Sequence, residues 1–396
     1  MGTDVSVPSV VAFIYVGAGA VWWLGMLGAF LRIRRAVPFA RDFDDPAPAQ
    51  WPRVSIVVPA RNEEETIEPA VRSRLLDAYP DVELILVDDR STDETGAVID
   101  RLAAEDARVV PLHITELPAD WMGKQHAMQV GLERATGTWI LFTDADVHAA
   151  PGCLRRAVAR CEARGFDLLA IIPELRSTGF VLNAVIAQFL RLVLVVARPW
   201  AVEDQHTDAG VGAGAFSLVR RSALDRSPGL AWLRLEMGDD IALGQMLKAS
   251  GAHCSMAMGR GMLDVIFYPT MDAMARAAER AGFTSIGHFS LPRIVVEITG
   301  FWAMEFAPYA ALAFWRIPVL QMVGAALVVI AQVTCVSLNR WAGARALPAM
   351  AQPLGAAMNG ILMLRAGVLG TIRGGVWWRG TFYPTSLLRK GRRVRI

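Results

Sequence analysis

Residues 53–60 read RVSIVVPA and run straight into RNEEETIEPAVRSRLL, residues 61–76. A β-branched run without helical spacing, closed by a proline and followed by an amphipathic polar stretch, is a buried strand feeding a helix. Glu63, Glu64 and Glu65 are expected in the first turn of that helix, where the positive end of the macrodipole favours acids. The unit then repeats. VELILVDD, Val82–Asp89, is a second buried strand; RSTDETGAVIDRLAAE, residues 90–105, is a helix with a polar start; ARVVPLHI, residues 107–114, is a short third strand. Strands alternating with helices predict an α/β domain with a mostly parallel sheet.

Ligands of such a sheet lie outside the carboxyl ends of its strands, and acids fall at those positions. Asp88 and Asp89 end the second strand, and Asp144 and Asp146 follow TWILF, residues 138–142. Alone, Asp144-Ala145-Asp146 is an ordinary solvated turn. Acids at successive strand ends are a different matter, because adjacent carboxylates repel unless a cation neutralises them. Mg2+ and Mn2+ take oxygen ligands, bridge substrate phosphates and need only one or two protein carboxylates. Asp144 and Asp146 are therefore the expected metal ligands, with a nucleoside diphosphate as co-ligand. Neither GxxxxGK[ST] nor GxGxxG occurs, so no P-loop or dinucleotide fingerprint competes.

Lys124, in WMGKQHA, opens a helix expected over residues 125–135, where the dipole disfavours a cation. A bound diphosphate would offset that; without one, it reads as a solvated lysine. His126 reads as packing beneath this loop. In GVGAGAFSLVRRSAL, residues 210–224, small residues permit close approach. In EMGDDIALGQMLKASG, residues 236–251, Asp239 or Asp240 is expected to cap a helix whose apolar side holds Ile241, Leu243 and Leu247. The other carboxylate is left free to deprotonate an attacking hydroxyl.

The whole chain of 396 residues is 54% hydrophobic and 20% charged, with mean hydropathy +0.35. That excludes a disordered chain and points to a membrane protein. Four scattered cysteines make no disulfide framework or CxxC pair. Residues 8–31 carry no charge and suffice for a membrane anchor. Arg32, Arg34 and Arg35 follow this run while only Asp4 precedes it, which places the next domain in the cytoplasm of a multi-pass inner-membrane protein. An acidic, proline-bearing linker completes residues 32–50, and the catalytic domain is expected over 51–290. Within it, residues 180–200 form an apolar insertion with Arg191 at its middle, either a core helix or a lip dipping into the interface. Residues 291–372 hold three apolar stretches. The first carries Glu297 and Glu305, costly at bilayer depth; 319–338 is a firm crossing; the third, with Pro348 and Pro353, crosses, re-enters or lies at the interface. The tail, 373–396, has seven Arg or Lys and no acid. That favours an even number of C-terminal crossings and a tail bound to anionic phospholipid. No aromatic-basic interleaving suggests nucleic acid, and no protein partner is inferred.

With these motifs in hand, residues 51–289 resemble the family 2 glycosyltransferases of GT-A fold. The resemblance implies that VSIVVPARNE, carrying Pro59, Arg61 and Glu63, opens the sheet at the donor site, and that Asp88 and Asp89 contact the nucleoside. It implies that Asp144 and Asp146 hold Mn2+ or Mg2+ with the diphosphate, and that Asp240 is the catalytic base, with Asp239 in place of the usual glutamate. Residues 120–147 and the late VWWRGTFY are similar to the hopene-associated or carotenoid branch of bacterial membrane enzymes. A Gln-x-x-Arg-Trp motif of processive synthases is missing; MARAAERAGF occupies its slot. The implied activity is inverting transfer of one sugar from a nucleotide-sugar to a membrane-lipid hydroxyl. The base-contacting acids suggest a UDP-sugar and admit a GDP-sugar. Rival readings are a polyprenyl-phosphate acceptor, a polysaccharide synthase and a non-catalytic scaffold.

Overall fold

The structure is a computed structural model that describes residues 7–394. Asp4 and Arg395, on which the charge reading of the two ends draws, lie outside the described residues. The chain forms two compact units that do not follow the contiguous boundaries expected from the sequence. One comprises residues up to 35, 177–196 and 269–373; the other comprises 36–176, 197–268 and the segment from 374.

The second unit is the α/β domain. Its strands are β1 Val54–Ala60, β2 Val82–Asp89, β3 Val109–Ile114, β4 Trp139–Phe142, β5 His148–Ala149, β6 Leu168–Ile172, β7 Glu174–Arg176, β8 Ser217–Arg220, β9 Cys254–Met258, β10 Leu263–Ile266, β11 Gly375–Trp378 and β12 Thr381–Pro384. Seven make the main sheet in the order β3-β2-β1-β4-β8-β6-β9. Only β8 runs against its neighbours, pairing antiparallel with β4 and β6. β1 pairs parallel with β2 and β4, in a register that brings Ala60 beside Asp88. Every residue of β1 is buried, as its unbroken apolar run requires of a strand covered on both faces. Ile56, Val58, Leu84, Leu86, Leu141 and Leu218 build the core around it.

Two local expectations are corrected. Glu63, Glu64 and Glu65 precede their helix rather than opening it: the helix is Ile67–Leu75 with Thr66 at the N-cap. The helix Asp239–Ala249 has Gly238 at its N-cap, so neither aspartate caps it by side chain. Both aspartates occupy the first helical turn, which frees both for the cleft.

The other unit is helical: Val7–Ala36, Phe180–Ala197, Met271–Ala281, Leu291–Leu312, Pro318–Trp341 and Gln352–Arg373. Four segments, Ser9–Ala36, Phe180–Ala201, Pro318–Trp341 and Gln352–Arg373, are long and apolar enough to cross a membrane. This is the pattern of a multi-pass membrane protein. Residues 180–200 were expected inside the catalytic domain; the helix they begin instead packs with the apolar helices, which accept its greasy surface. Gln352–Arg373 is unbroken because Pro353 sits at its start, where a missing N–H costs little. Glu305 is fully buried and compensated: it accepts from Trp22 Nε1 at 2.9 Å, Arg191 Nη2 at 2.6 Å and Gln352 Nε2 at 2.5 Å.

Candidate active site

Three parallel strands end together, and the loops beyond them supply the site. β1 delivers Pro59, Arg61 and Glu63; β2 ends in Asp88 and Asp89; β4 leads through Thr143 to Asp144 and Asp146. Opposite these loops begin the helices Gly123–Arg134 and Asp239–Ala249. A cleft is lined by Pro59, Lys124, Asp144, Gly214, Asp239 and Asp240.

Lys124 is the hub of this cleft. Its Nζ lies 2.9 Å from Asp144 Oδ1 and 3.2 Å from Asp239 Oδ2, with only 12% of the side chain exposed. Burial works to lower its pKa, but Asp144, Asp239 and Asp240 together drive it well above the ordinary lysine value. The solvated-lysine reading is thus overturned: the ammonium joins carboxylates from two separate elements. Asp240 Oδ1 accepts the Ile241 amide at 2.8 Å. Its carboxyl is nonetheless pushed up to about 6, first by burial and then by the charge of Asp239. The helix N-terminus, which favours the charged form, is outweighed.

The Asp144-Ala145-Asp146 loop is braced from below. Arg74, buried and unremarked in the sequence, donates to the Asp144 carbonyl at 2.6 Å and to Thr143 Oγ1 at 3.3 Å. Burial brings its pKa down to about 10. Gly214 accepts the Asp144 amide at 2.9 Å, and a Cβ there would stand 2.7 Å from Asp144 Oδ2. Gly214 is therefore small because this carboxylate lies against it, whereas Gly210 and Gly212 lie against the backbone of Gly244 and Asp240. Burial tends to raise Asp144, yet Lys124 holds it below the usual carboxylate range. Asp146 has no such partner: burial, Asp144 and Glu63 push it up to about 6. Glu63 is raised too, chiefly by burial.

Asp88 and Asp89 already have protein partners. Asp88 Oδ1 accepts the Ser91 amide at 3.1 Å. Asp89 receives both Nε and Nη2 of Arg90, at 2.8 and 3.1 Å, and Arg61 lies 3.8 Å away. Gly123 is required here, because a Cβ would overlap Asp89 Oδ2. His126 stacks edge-on to Trp121 at 5.6 Å, consistent with a packing role.

The C-terminal hairpin adds what sequence reading missed. β11 and β12 are joined by Arg379 and Gly380, at φ 45° and 76°, the two positive values that a tight type I′ hairpin demands. Glycine takes this conformation freely; Arg379 does so under strain. Its guanidinium stands 3.8 Å from Glu63, and the Gly123 amide donates to the Tyr383 hydroxyl. Further on, the amides of Arg393 and Val394 donate to Glu236 Oε2, and Arg393 lies over Trp232. Part of the tail's positive charge is thus held inside the protein.

Acids at the ends of parallel strands, facing paired aspartates at a helix start, sit on an α/β domain of the GT-A sugar-transferase type. Residues 55–227 match the model of Glycosyl transferase family 2. The chain is 31% identical over 178 residues to the prophage bactoprenol glucosyl transferase homolog of Escherichia coli (strain K12), covering 44% of this chain and 54% of that protein. The SfII prophage-derived bactoprenol glucosyl transferase of Shigella flexneri is 24% identical, covering 86% of this chain and 99% of that protein. The chain spans from 33% to 54% of the length of the first curated relatives it matches. Among solved structures, the mannosyltransferase PcManGT of Pyrobaculum calidifontis, in complex with GDP-Man and Mn2+, aligns with TM-score 0.54 at 19% identity, over 91% of this chain and 99% of that one. That likeness shows the shared fold.

Proposed function

We propose that the protein moves a single sugar from a nucleotide-sugar to the hydroxyl of a membrane lipid, with inversion, on the cytoplasmic face of a bacterial inner membrane. One observation carries the reading: Asp240, poised at about 6, shares one cleft with Lys124 and Asp144. A carboxyl in that range is mostly ionised at pH 7 and well matched to accept a proton. Asp240 takes the proton of the acceptor hydroxyl as its oxygen bonds to the anomeric carbon and the bond to the diphosphate breaks. Lys124 fixes Asp144 against Asp239 and so holds donor and acceptor sides in register. Arg61, Arg90 and Arg379, beside Glu63 and Asp89, supply cationic donors for the nucleotide.

A divalent cation fits this site. Asp144 and Glu63 add to burial in raising the proton affinity of Asp146, and Asp144 adds to that of Glu63, as happens among hard oxygen donors short of counter-charge. Among the described residues no three His, Cys, Asp or Glu side chains form a metal group by themselves. An ion here would rest on Asp144 and Asp146 and complete its shell with donor phosphate. When bound, Mn2+ or Mg2+ would neutralise charge developing on the departing diphosphate.

The names of the relatives, two of them bactoprenol glucosyl transferases and one a dodecaprenyl-phosphate galacturonate synthase, favour a second acceptor, a polyprenyl phosphate. A phosphate oxygen needs no base, so Asp240→Asn would spare most of that rate. The closer likeness to hopene-associated or carotenoid enzymes rests on residues 120–147 and VWWRGTFY. The deciding experiment incubates membrane-reconstituted protein with UDP- and GDP-sugars and total bacterial lipid, and identifies the product by mass. One added sugar on a lipid is expected; longer chains would mean a synthase, and no turnover of any donor with Mn2+ would mean a scaffold.

A further inference from the structure

The helix that carries Asp239 and Asp240 starts from a short turn, and three parts of the catalytic unit converge on it. Gly238 is the N-cap. Two residues earlier stands Glu236, 2% exposed, whose Oε1 accepts the Gly238 amide at 2.9 Å. The helix Gly123–Arg134, which bears Lys124, is fastened to the backbone of the same segment. Gln125 Nε2 donates to the Glu236 carbonyl at 2.7 Å, and the Met122 amide donates to the Arg234 carbonyl at 2.8 Å.

The third part is the end of the chain. The amides of Arg393 and Val394, the second at 2.9 Å, both donate to Glu236 Oε2. Arg393 Nε donates to the Trp232 carbonyl at 3.3 Å, and its guanidinium lies over the Trp232 ring. Gly391 passes so close to Leu235 that a Cβ would overlap the leucine side chain, so the backbone can approach only as glycine. A buried carboxylate has to be matched by donors. Glu236 is matched by three backbone N–H groups, one from its own turn and two from 157 and 158 positions along the chain. Backbone N–H groups aimed at carboxylate oxygens make the stronger class of hydrogen bond.

We infer that residues 391–394 are a strap that positions the catalytic base, and that Glu236 is the positioning residue through which the strap acts on Asp239 and Asp240. Glu236 is buried outside the wall of the cleft. One of its oxygens holds the tail and the other holds the residue that starts the helix. Releasing the tail frees the carboxylate to turn, and the first helical turn then loses its fixed orientation. A base must stand within about 3 Å of the proton it takes, and a misplacement of roughly 1 Å can cost on the order of a hundredfold in rate. The inference rests on the reading of Asp240 as the base.

The test sets Arg393→Pro against Arg393→Ala, and Val394→Pro against Val394→Ala, in the full chain reconstituted into total bacterial lipid. Within each pair the native side chain is gone, but only proline deletes the N–H that reaches Glu236. Hydrogen exchange across residues 234–241, measured by mass without any donor, is expected to be at least fivefold faster in each proline variant than in its alanine partner. With UDP- and GDP-sugars as donors, kcat is expected to fall at least fivefold between the same partners. Donor KM should stay within twofold, since Pro59, Arg61 and Glu63 are delivered by β1. Equal exchange within both pairs overturns the strap. Faster exchange with equal kcat overturns its positioning role wherever Asp240→Asn, run alongside, abolishes transfer. If Asp240→Asn keeps its rate, the base assignment fails and exchange alone decides the strap. Should the proline variants lose donor binding as well, Glu236→Gln decides, because it keeps the size of the side chain and leaves one oxygen where two are used. A fivefold lower kcat at unchanged donor KM upholds the strap there, and an unchanged kcat rejects it.

Discussion

Each unit of the molecule buries a cation, and the two are arranged on opposite principles. In the catalytic unit Lys124 faces Asp144 and Asp239, with Asp240 close behind; one ammonium serves three carboxyl groups. In the helical unit Arg191 faces Glu305 alone and is closed in by Gln188 and Trp23. The first cluster is short of positive charge and leaves Asp240 and Asp146 at about 6. The second is balanced in charge. Imbalance of charge prepares a site for a cation and for proton transfer, while a matched pair contributes mainly positioning and becomes costly only when one partner is removed.

The largest effect on this contrast is expected from withdrawing divalent cations. Activity should vanish in EDTA and return with Mn2+ or Mg2+; full turnover in chelator by metal-free protein would remove the ion from Asp144 and Asp146. Next, Asp240→Asn should lower transfer to a hydroxyl acceptor by about 10²–10⁴-fold while donor binding persists. Below about pH 6 the wild-type rate should fall as Asp240 takes up its proton, and this limb should be missing in the variant. A folded-state pKa raised above that of the unfolded chain means that stability falls as pH rises towards 6. Asp240→Asn, uncharged throughout, is therefore expected to raise the thermal midpoint at pH 7.

The balanced cluster should behave differently. Arg191→Ala or Glu305→Ala should each destabilise by about 3–5 kcal/mol, whereas replacing both with methionine should recover most of the loss. Thermal unfolding in detergent reads this directly, and additive losses in the double variant would contradict a matched pair. Lys124→Ala should cost stability as well as donor turnover, because three carboxyl groups lose their cation; raising the pH from 6 to 8 should deepen that cost. The smallest effect is expected at the hairpin. Arg379→Ala should weaken donor binding by about tenfold, visible in KM, while leaving the backbone strain at the turn in place, since alanine keeps the Cβ that crowds a positive φ. An unchanged donor KM would return Arg379 to a purely structural pairing with Glu63.

Much of the catalytic unit is legible in local pattern. Val82–Asp89 and Trp139–Phe142 are strands at the positions their apolar runs predict, because a strand buried on both faces writes its burial into consecutive residues. The acids at strand ends stand out for the same reason, being polar where the run stops. By contrast, Arg74, Arg379 and Arg393 carry no local signal; each matters through a partner far along the chain, at Asp144, Glu63 or Trp232. Composition likewise marked Glu305 and Arg191 as charges within separate apolar segments without pairing them across 114 positions.

By itself, then, the sequence determined the α/β alternation, the acids bound for the carboxyl edge of the sheet and the apolar stretches bound for lipid, since each is decided by neighbouring residues. Tertiary structure alone decided that Lys124 is buried, that Asp240 sits at about 6, and that the tail folds back onto the catalytic unit. It also decided that the Phe180–Ala197 helix belongs with the membrane helices. Those outcomes depend on burial and on charges meeting across long stretches of chain, and electrostatic energy at a buried site is set by what surrounds it in space.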